Sequence, residues 1–396
     1  MLTSPQEFVI ILTDGGDVLL FSKYKKDDIM YYYTKLYGNE DDEHYSLEAI
    51  YNTDSQYNIL LSERSNGKSY ALKKYLLLKA YYFDREFVYV RRRDTDISTA
   101  SIRDWLADMP IDKYTNGEYT NVVVYQGDIY FGYIDNDGKI CRGKKIASTI
   151  PVNTYLKYKS RAYPKDDDIV FEEFMTDGVY LYNEVTSFLN LVSTVARDRD
   201  IKVWMLGNKI SQICPYIEEW SLTNALTQKP GSIDTYKFKS TIDGKETTTL
   251  ISVENCTPRS HKSRMFFGKM AENIDGGKWE GEVKAMPRPS LDLEKYINLY
   301  EVVIEEGSFH FVAQLLFNKE TSGQILYVYP FTGNRVIRRH ITTEFSESPW
   351  YSQRFKEDIP AEATMRRLLL DNKLCYSHNL CGNNFQQMLM NRKGGF

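Results

Sequence analysis

"NILLSERSNGKSYALKKYLLL", residues 58 to 78, decides the fold. An apolar run closes at Leu61, a loop of small and polar residues follows, and a helical pattern begins at about Lys68. Within it Leu72, Tyr75, Leu76 and Ala80 recur at helical spacing, with Lys73, Lys74 and Lys79 off that stripe. Gly67, Lys68 and Ser69 stand in the order that holds a nucleotide phosphate, while Ser62 stands where a strict P-loop has glycine. A strand-loop-helix turn aims successive backbone N–H groups and the positive helix end at an anion. In that geometry Lys68 reaches the β- and γ-phosphates of ATP and the Ser69 hydroxyl ligands Mg²⁺, with Ser62, Ser65, Asn66 and Gly67 lining the cradle. Ser62 can replace the first glycine if its backbone needs no positive φ. Taken alone, the stretch also reads as an ordinary loop capping a helix.

An ATPase needs an acid at the tip of a neighbouring strand, and "DDDIVFEEFM" supplies two. Ile169, Val170 and Phe171 form a short apolar strand, and Glu172 and Glu173 follow at its carboxyl end, where open α/β sheets bind ligands. The reading assigns Glu172 to the Mg²⁺ shell and Glu173 to the orientation and deprotonation of water. Glu172 replaces the usual Asp and is one methylene longer, which leaves open whether its metal contact is direct. In "STVARDRDIKVWMLGNK", Arg197 and Arg199 precede a strand at 202 to 206 and Asn208 follows it. An arginine outside its own pocket can complete a neighbouring subunit's site, and a polar residue at the strand tip can sense the γ-phosphate. Surface pairing with Asp198 or Asp200 is the other reading of the two arginines.

The chain has 396 residues, 42% of them hydrophobic, enough for two or three domains with sizeable cores. Its apolar runs, such as "FVIIL" at 8 to 12, are far shorter than the roughly 20 residues a membrane helix requires, and no secretory leader is visible. Five cysteines sit singly without a CxxC pair, and five histidines are scattered. That pattern argues for a reducing cytoplasm and against a zinc site. Net charge is −4, yet Lys139 to Lys165 holds eight Lys or Arg and no Asp or Glu. With Tyr155, Tyr158 and Tyr163 interleaved, this run suits either a solvated face or a surface touching phosphate backbones.

Strand-like runs at 57 to 61, 87 to 90, 169 to 171 and 202 to 206 alternate with helical segments, which predicts a mostly parallel sheet. Turn chemistry at Gly127 and at Asp137 with Gly138 predicts a hairpin-rich insertion at the sheet's edge. The expected organisation is an N-terminal extension with a hairpin (1 to 45), a P-loop domain (46 to 225), a polar lid or linker (226 to 295) and a C-terminal domain (296 to 396). In the last, strands fall around 300 to 316 and 324 to 331, and helical pattern at 361 to 370 and 383 to 390.

"LLSERSNGKSYAL", "FVYVRRRD", "KSRAYPKDDDIVFEEF", "YLYNEVTSFLNLVSTVARDRD" and "MLGN", taken in order, resemble the DNA-packaging motor ATPases of small phi-twenty-nine-like podoviruses, relatives of large terminase subunits. The resemblance is dense from about 57 to 212 and traceable to "MRRLLLDNKLCYSHN"; residues 1 to about 45 lie outside it. It implies an α/β, P-loop ASCE-type ATPase followed by a small α+β domain similar to an RNase H-like nuclease without its acidic centre, so no nuclease activity is expected. It implies a pentameric ring that sits on the portal of a prohead in the host cell cytoplasm. The ring drives double-stranded DNA inward by ATP hydrolysis, and some members also contact a structural RNA. By this resemblance Lys68 and Ser69 match the Walker A lysine and hydroxyl, and Arg64 the arginine kept within that loop. Glu172 matches the Walker B acid, Glu173 the catalytic glutamate, and Arg197 the finger acting in trans, with Arg199 a second candidate. Lys159 matches a pore lysine that touches DNA, and Lys157 and Arg161 are its basic neighbours. A different nucleic-acid translocase, or a portal-binding protein that holds nucleotide without splitting it, remain the alternatives.

Overall fold

Strand β3 (Tyr57–Ser62) buries every residue after Tyr57, as a strand covered on both faces must. The computed structural model describes residues 8–12, 18–22, 29–30, 32–36, 45–63, 66–242, 245–257, 284–288, 292–307, 309–333 and 336–392. By its internal contacts the chain divides into two units. One comprises Met1–Phe174, Asn183–Gly207 and Lys229–Thr257; the other comprises Met175–Tyr182, Asn208–Gln228 and Pro258–Phe396.

At the start of the first unit, β1 (Phe8–Leu12) and β2 (Val18–Ser22) pair antiparallel. Its main sheet contains β3, β4 (Glu86–Arg91), β5 (Asn121–Tyr125), β6 (Asp128–Ile134), β7 (Ile140–Pro151), β8 (Asp166–Glu172), β9 (Lys202–Asn208), β10 (Ser232–Ile242) and β11 (Lys245–Asn255). Across the sheet the order is β10-β11-β3-β9-β8-β4-β7-β6-β5. The pairs β11 with β3, β9 with β8, β8 with β4 and β4 with β7 are parallel, while β5, β6 and β7 form the antiparallel edge that the turn residues predicted. One strand, β9, separates the strand ending at Ser62 from the strand ending at Glu172, the order expected of an ASCE-type sheet.

Helix α1 (Lys68–Phe83) follows β3 directly. Its expected stripe of Leu72, Tyr75, Leu76 and Ala80 is buried, but so are Lys73 and Lys74. Lys73 gives its ammonium to the Trp105 carbonyl (2.7 Å) and to Asp108 (2.5 Å), and Lys74 lies over the Tyr33 ring, 4.7 Å from its centroid. The helix is therefore covered on more than one face, and each fully buried leucine along it contributes about 1.5–3 kcal/mol. Helix α2 (Thr99–Leu106) starts at Ser98, whose hydroxyl accepts the Ser101 N–H in a capping box. Helix α3 (Glu184–Ala196) buries Val185, Phe188, Leu191, Val192 and Val195 along one face.

Residues 232 to 255, expected within a lid or linker, instead complete the first unit's sheet as β10 and β11. Only Ile251–Asn255 lies beside β3; the rest of the ribbon pairs solely with itself. A ribbon with little to cover can be built from Lys, Ser and Thr, which is why its composition resembles a linker.

The second unit carries β12 (Tyr296–Glu306), β13 (Phe309–Asn318), β14 (Gln324–Pro330), β15 (His340–Thr342), β16 (Tyr351–Ser352) and β17 (Leu374–Tyr376), in the order β16-β15-β12-β13-β14-β17. β12, β13 and β14 form an antiparallel meander, while β15 and β17 join its two sides in parallel. Helices α4 (Pro360–Leu370) and α5 (Asn379–Asn391) bury Met365, Leu368, Phe385 and Met388 in its core. Among the described residues, no helix is long and apolar enough to cross a membrane.

Candidate nucleotide site

The loop between β3 and α1 turns at Gly67, which caps the helix at φ 91° and ψ 2°. This is a left-handed conformation that a residue without Cβ adopts at no steric cost. Ser62 does not have a positive φ, so its backbone does not require the glycine it replaces. Its buried hydroxyl donates to the Glu63 carbonyl at 2.6 Å and accepts the Lys68 Nζ at 2.9 Å. Lys68 is only 7% exposed. Burial lowers its pKa, while the carboxylates of Glu172 and Glu63 pull the other way. Asn66 is buried as well, and its side-chain amide donates to Glu63 Oε1 (3.3 Å) and the Thr257 carbonyl (2.7 Å). Arg64 and Ser65 lie outside the described residues.

Across β9, the Ser69 hydroxyl is 3.4 Å from Glu172 Oε2. The other carboxylate oxygen accepts the Trp105 indole N–H at 3.1 Å. Residues 103 apart in sequence thus bring a hydroxyl and a carboxylate together beside a buried ammonium. Two hard oxygen donors in contact suit a divalent cation of the Mg²⁺ type.

Glu173 differs sharply from its neighbour. Its φ is 56°, its side chain is 59% exposed, and its carboxylate is paired with Arg91 at the tip of β4 (2.5 Å). Left-handed backbone at a non-glycine residue costs roughly 1–2 kcal/mol, so something must hold it. Beneath it lies the buried Arg92, whose guanidinium donates to the Glu173 carbonyl (3.2 Å), the Phe174 carbonyl (2.5 Å) and both oxygens of Glu184 (3.1 and 2.9 Å). Sequence reasoning assigned no role to Arg91, Arg92, Trp105 or Glu184. The three arginines in "VRRRD", placed directly after a strand, were the available signal.

The remaining candidates are elsewhere. Arg197 closes α3, exposed, with Nη2 on the Arg161 carbonyl (3.1 Å). Arg199 is tied down by the Tyr163 carbonyl (2.5 Å), the Val195 carbonyl (3.0 Å) and Asp167 (3.3 Å). Arg161, Tyr163 and Asp167 sit before or at the amino end of β8, whereas Glu172 is its last residue. Seven strand residues at about 3.3 Å each separate the two ends by roughly 20 Å, so neither arginine reaches the cradle of its own chain. Lys157 and Lys159 are exposed, with Lys159 Nζ 5.6 Å from the Tyr155 ring centroid. Arg161, one-third exposed, is paired with Asp128 through two contacts of 2.6 and 2.7 Å. Asn208 is the last residue of β9, half-buried, and counts with the second unit.

Residues 40–239, half of the chain, match the family described as podovirus DNA encapsidation protein (Gp16). The DNA packaging proteins of Bacillus phages PZA and phi29 are each 29% identical over 223 residues, which cover 51% of this chain and 62% of theirs. The match thus spans less than two thirds of the length of those relatives. The crystal structure of the N-terminal domain of the DNA packaging ATPase from bacteriophage phi29 aligns at 25% identity and a TM-score of 0.41, covering 55% of this chain and 98% of that one.

Proposed function

The chain belongs to the podovirus DNA encapsidation protein family, and on that premise we propose that it is the ATP-hydrolysing subunit of a motor that moves double-stranded viral DNA into a prohead. The observation that carries the catalytic part is the meeting of Lys68, Ser69 and Glu172, with Glu173 one residue further on. A Mg²⁺ ion bound there, held by Ser69 and Glu172, would neutralise charge on the transferring phosphoryl group. Lys68 leaves Ser62 to meet the β- and γ-phosphates, and Glu173 leaves Arg91 to take a proton from the attacking water. Arg197 acts on a neighbouring subunit's nucleotide, because it sits a strand's length from its own. Asn66 and Gly67 line the phosphate cradle.

The proposed assembly is a ring, pentameric by analogy with the family resemblance, docked on the portal of the prohead in the host cytoplasm, with a structural RNA as a further candidate partner. Lys157 and Lys159 face the DNA in this reading. Residues 296 to 396 are the vestigial nuclease-like domain, without nuclease activity.

Phosphate release with and without DNA tests the proposal. Lys68→Ala and Glu173→Gln should abolish turnover, and Arg197→Ala should keep ATP binding while losing hydrolysis. Wild-type turnover in Lys68→Ala would refute the ATPase, and wild-type turnover in Arg197→Ala would refute the finger.

A further inference from the structure

Arg92 sits where three parts of the first unit meet. Its side chain is buried, and its Nε addresses both carboxylate oxygens of Glu184, itself buried, at 3.1 and 2.9 Å. The two outer nitrogens address the carbonyls of Glu173 and Phe174 at 3.2 and 2.5 Å. The Arg92 carbonyl in turn accepts the Asn153 N–H at 3.1 Å, within the basic run from Lys139 to Lys165. A guanidinium is suited to this because its donors form a rigid planar fork, whereas a lysine ammonium is a single point of charge. Taking such a pair out of water is costly unless further hydrogen bonds satisfy it, and the two carbonyls provide those bonds.

The groups joined by Arg92 are not a random set. Glu173 is the carboxylate proposed to activate water, and it is held at φ 56°. Glu184 is the first residue of α3, and Arg197 directly follows the last. A helix of 13 residues is about 20 Å long and stiff, so a movement at Glu184 is felt at Arg197.

We propose that Arg92 is a positioning residue that fastens the turn carrying Glu173 to the first turn of α3, so that the water-activating carboxylate and the arginine offered to the neighbouring subunit move as one body. The inference rests on the ATPase reading above. It makes hydrolysis in one site and the offer of Arg197 to the next a single event, which neither residue could ensure alone.

Arg92→Lys keeps the charge and removes the fork. ATP affinity should stay within about threefold of wild type while kcat falls about thirtyfold or more, with KM little changed. The decisive measurement is the cycle with Arg197→Ala: once Arg92 is replaced, removing Arg197 should cost much less than it costs in the wild type. Multiplicative losses, or an unchanged kcat, would overturn the proposal. Glu184→Gln keeps the shape and serves in the same cycle where Arg92→Lys does not fold.

Hydrogen exchange on the unaltered protein gives a second readout, independent of turnover. Addition of a non-hydrolysable ATP analogue should change protection at residue 174 and at residues 187 to 189 together; a change at one without the other refutes the coupling. If Lys68→Ala neither weakens ATP binding nor slows turnover, the ATPase reading fails first. If Lys68→Ala behaves as expected and the Arg92 cycle is multiplicative, only the role of Arg92 falls.

Discussion

Replacing Ser62 with Ala should destabilise the nucleotide-free protein and strengthen its binding of ATP. The hydroxyl accepts Lys68 Nζ at 2.9 Å and is fully buried, and the backbone at this position has no positive φ, so Ala fits and only the hydroxyl is lost. A hydrogen bond to a charged group is worth about 1.5–3 kcal/mol net. Lys68 also has the carboxylates of Glu172 and Glu63 around it, which argues for the lower figure. A loss of about 1.5 kcal/mol lowers the melting temperature of a unit this size by about 3–6 °C. To meet the β- and γ-phosphates, however, Lys68 must turn away from Ser62, so the bound state has already lost this bond. The same 1.5 kcal/mol then appears as about tenfold tighter ATP binding. Isothermal titration in a Glu173→Gln background, where turnover is blocked, measures the affinity, and calorimetric melting measures the stability. Weaker ATP binding in parallel with lower stability would show that Ser62 belongs to the bound cradle and would refute the competition argued here.

Arg91→Ala frees the Glu173 carboxylate from an exposed pair worth no more than about 1 kcal/mol, so the DNA-independent ATPase rate should rise two- to fivefold in a phosphate-release assay; an unchanged rate would mean that the pair does not restrain the glutamate. Lys159→Ala should weaken DNA stimulation of the ATPase and reduce its dependence on salt, because a lost phosphate contact releases fewer counterions; identical salt series would remove Lys159 from the DNA path. In the second unit, burial and then the charges of Glu306 and Glu219 push the Glu218 carboxyl up from 4.5 to about 7. Its folded pKa lies above its unfolded one, so its contribution is complete below about pH 4.5 and is lost as pH rises through 7, by about 1.4 kcal/mol per pH unit between the two values. Melting temperature should therefore fall from pH 5 to pH 8, and Glu218→Gln should flatten that slope; a slope unchanged in the variant would exclude Glu218 as its source.

The local determinants were legible because they are written in consecutive residues. Gly67-Lys68-Ser69 after an apolar run, and Glu172-Glu173 after another, mark strand tips by themselves, and the turn residues at Gly127 and Gly138 mark the hairpins. The ribbon at 232 to 255 was misread for a related reason: an edge that covers little needs no apolar pattern, and pattern is the only record that burial leaves in a sequence. Arg92 was hidden differently, since a buried arginine and an exposed one look alike until their partners are known.

The sequence by itself determined the type of sheet, the turn at Gly67-Lys68-Ser69 and the two tandem acids, because strand, loop and helix preferences are properties of neighbouring residues. Only the tertiary structure decided which partners those acids meet. Whether Glu172 meets Ser69, whether Glu173 rests on Arg91, and whether Arg161 and Arg199 are committed to Asp128 and Asp167 depend on which strands lie side by side. Side-chain charges act over a few ångströms of space, and adjacency across a sheet is set by the packing of the whole unit rather than by distance along the chain.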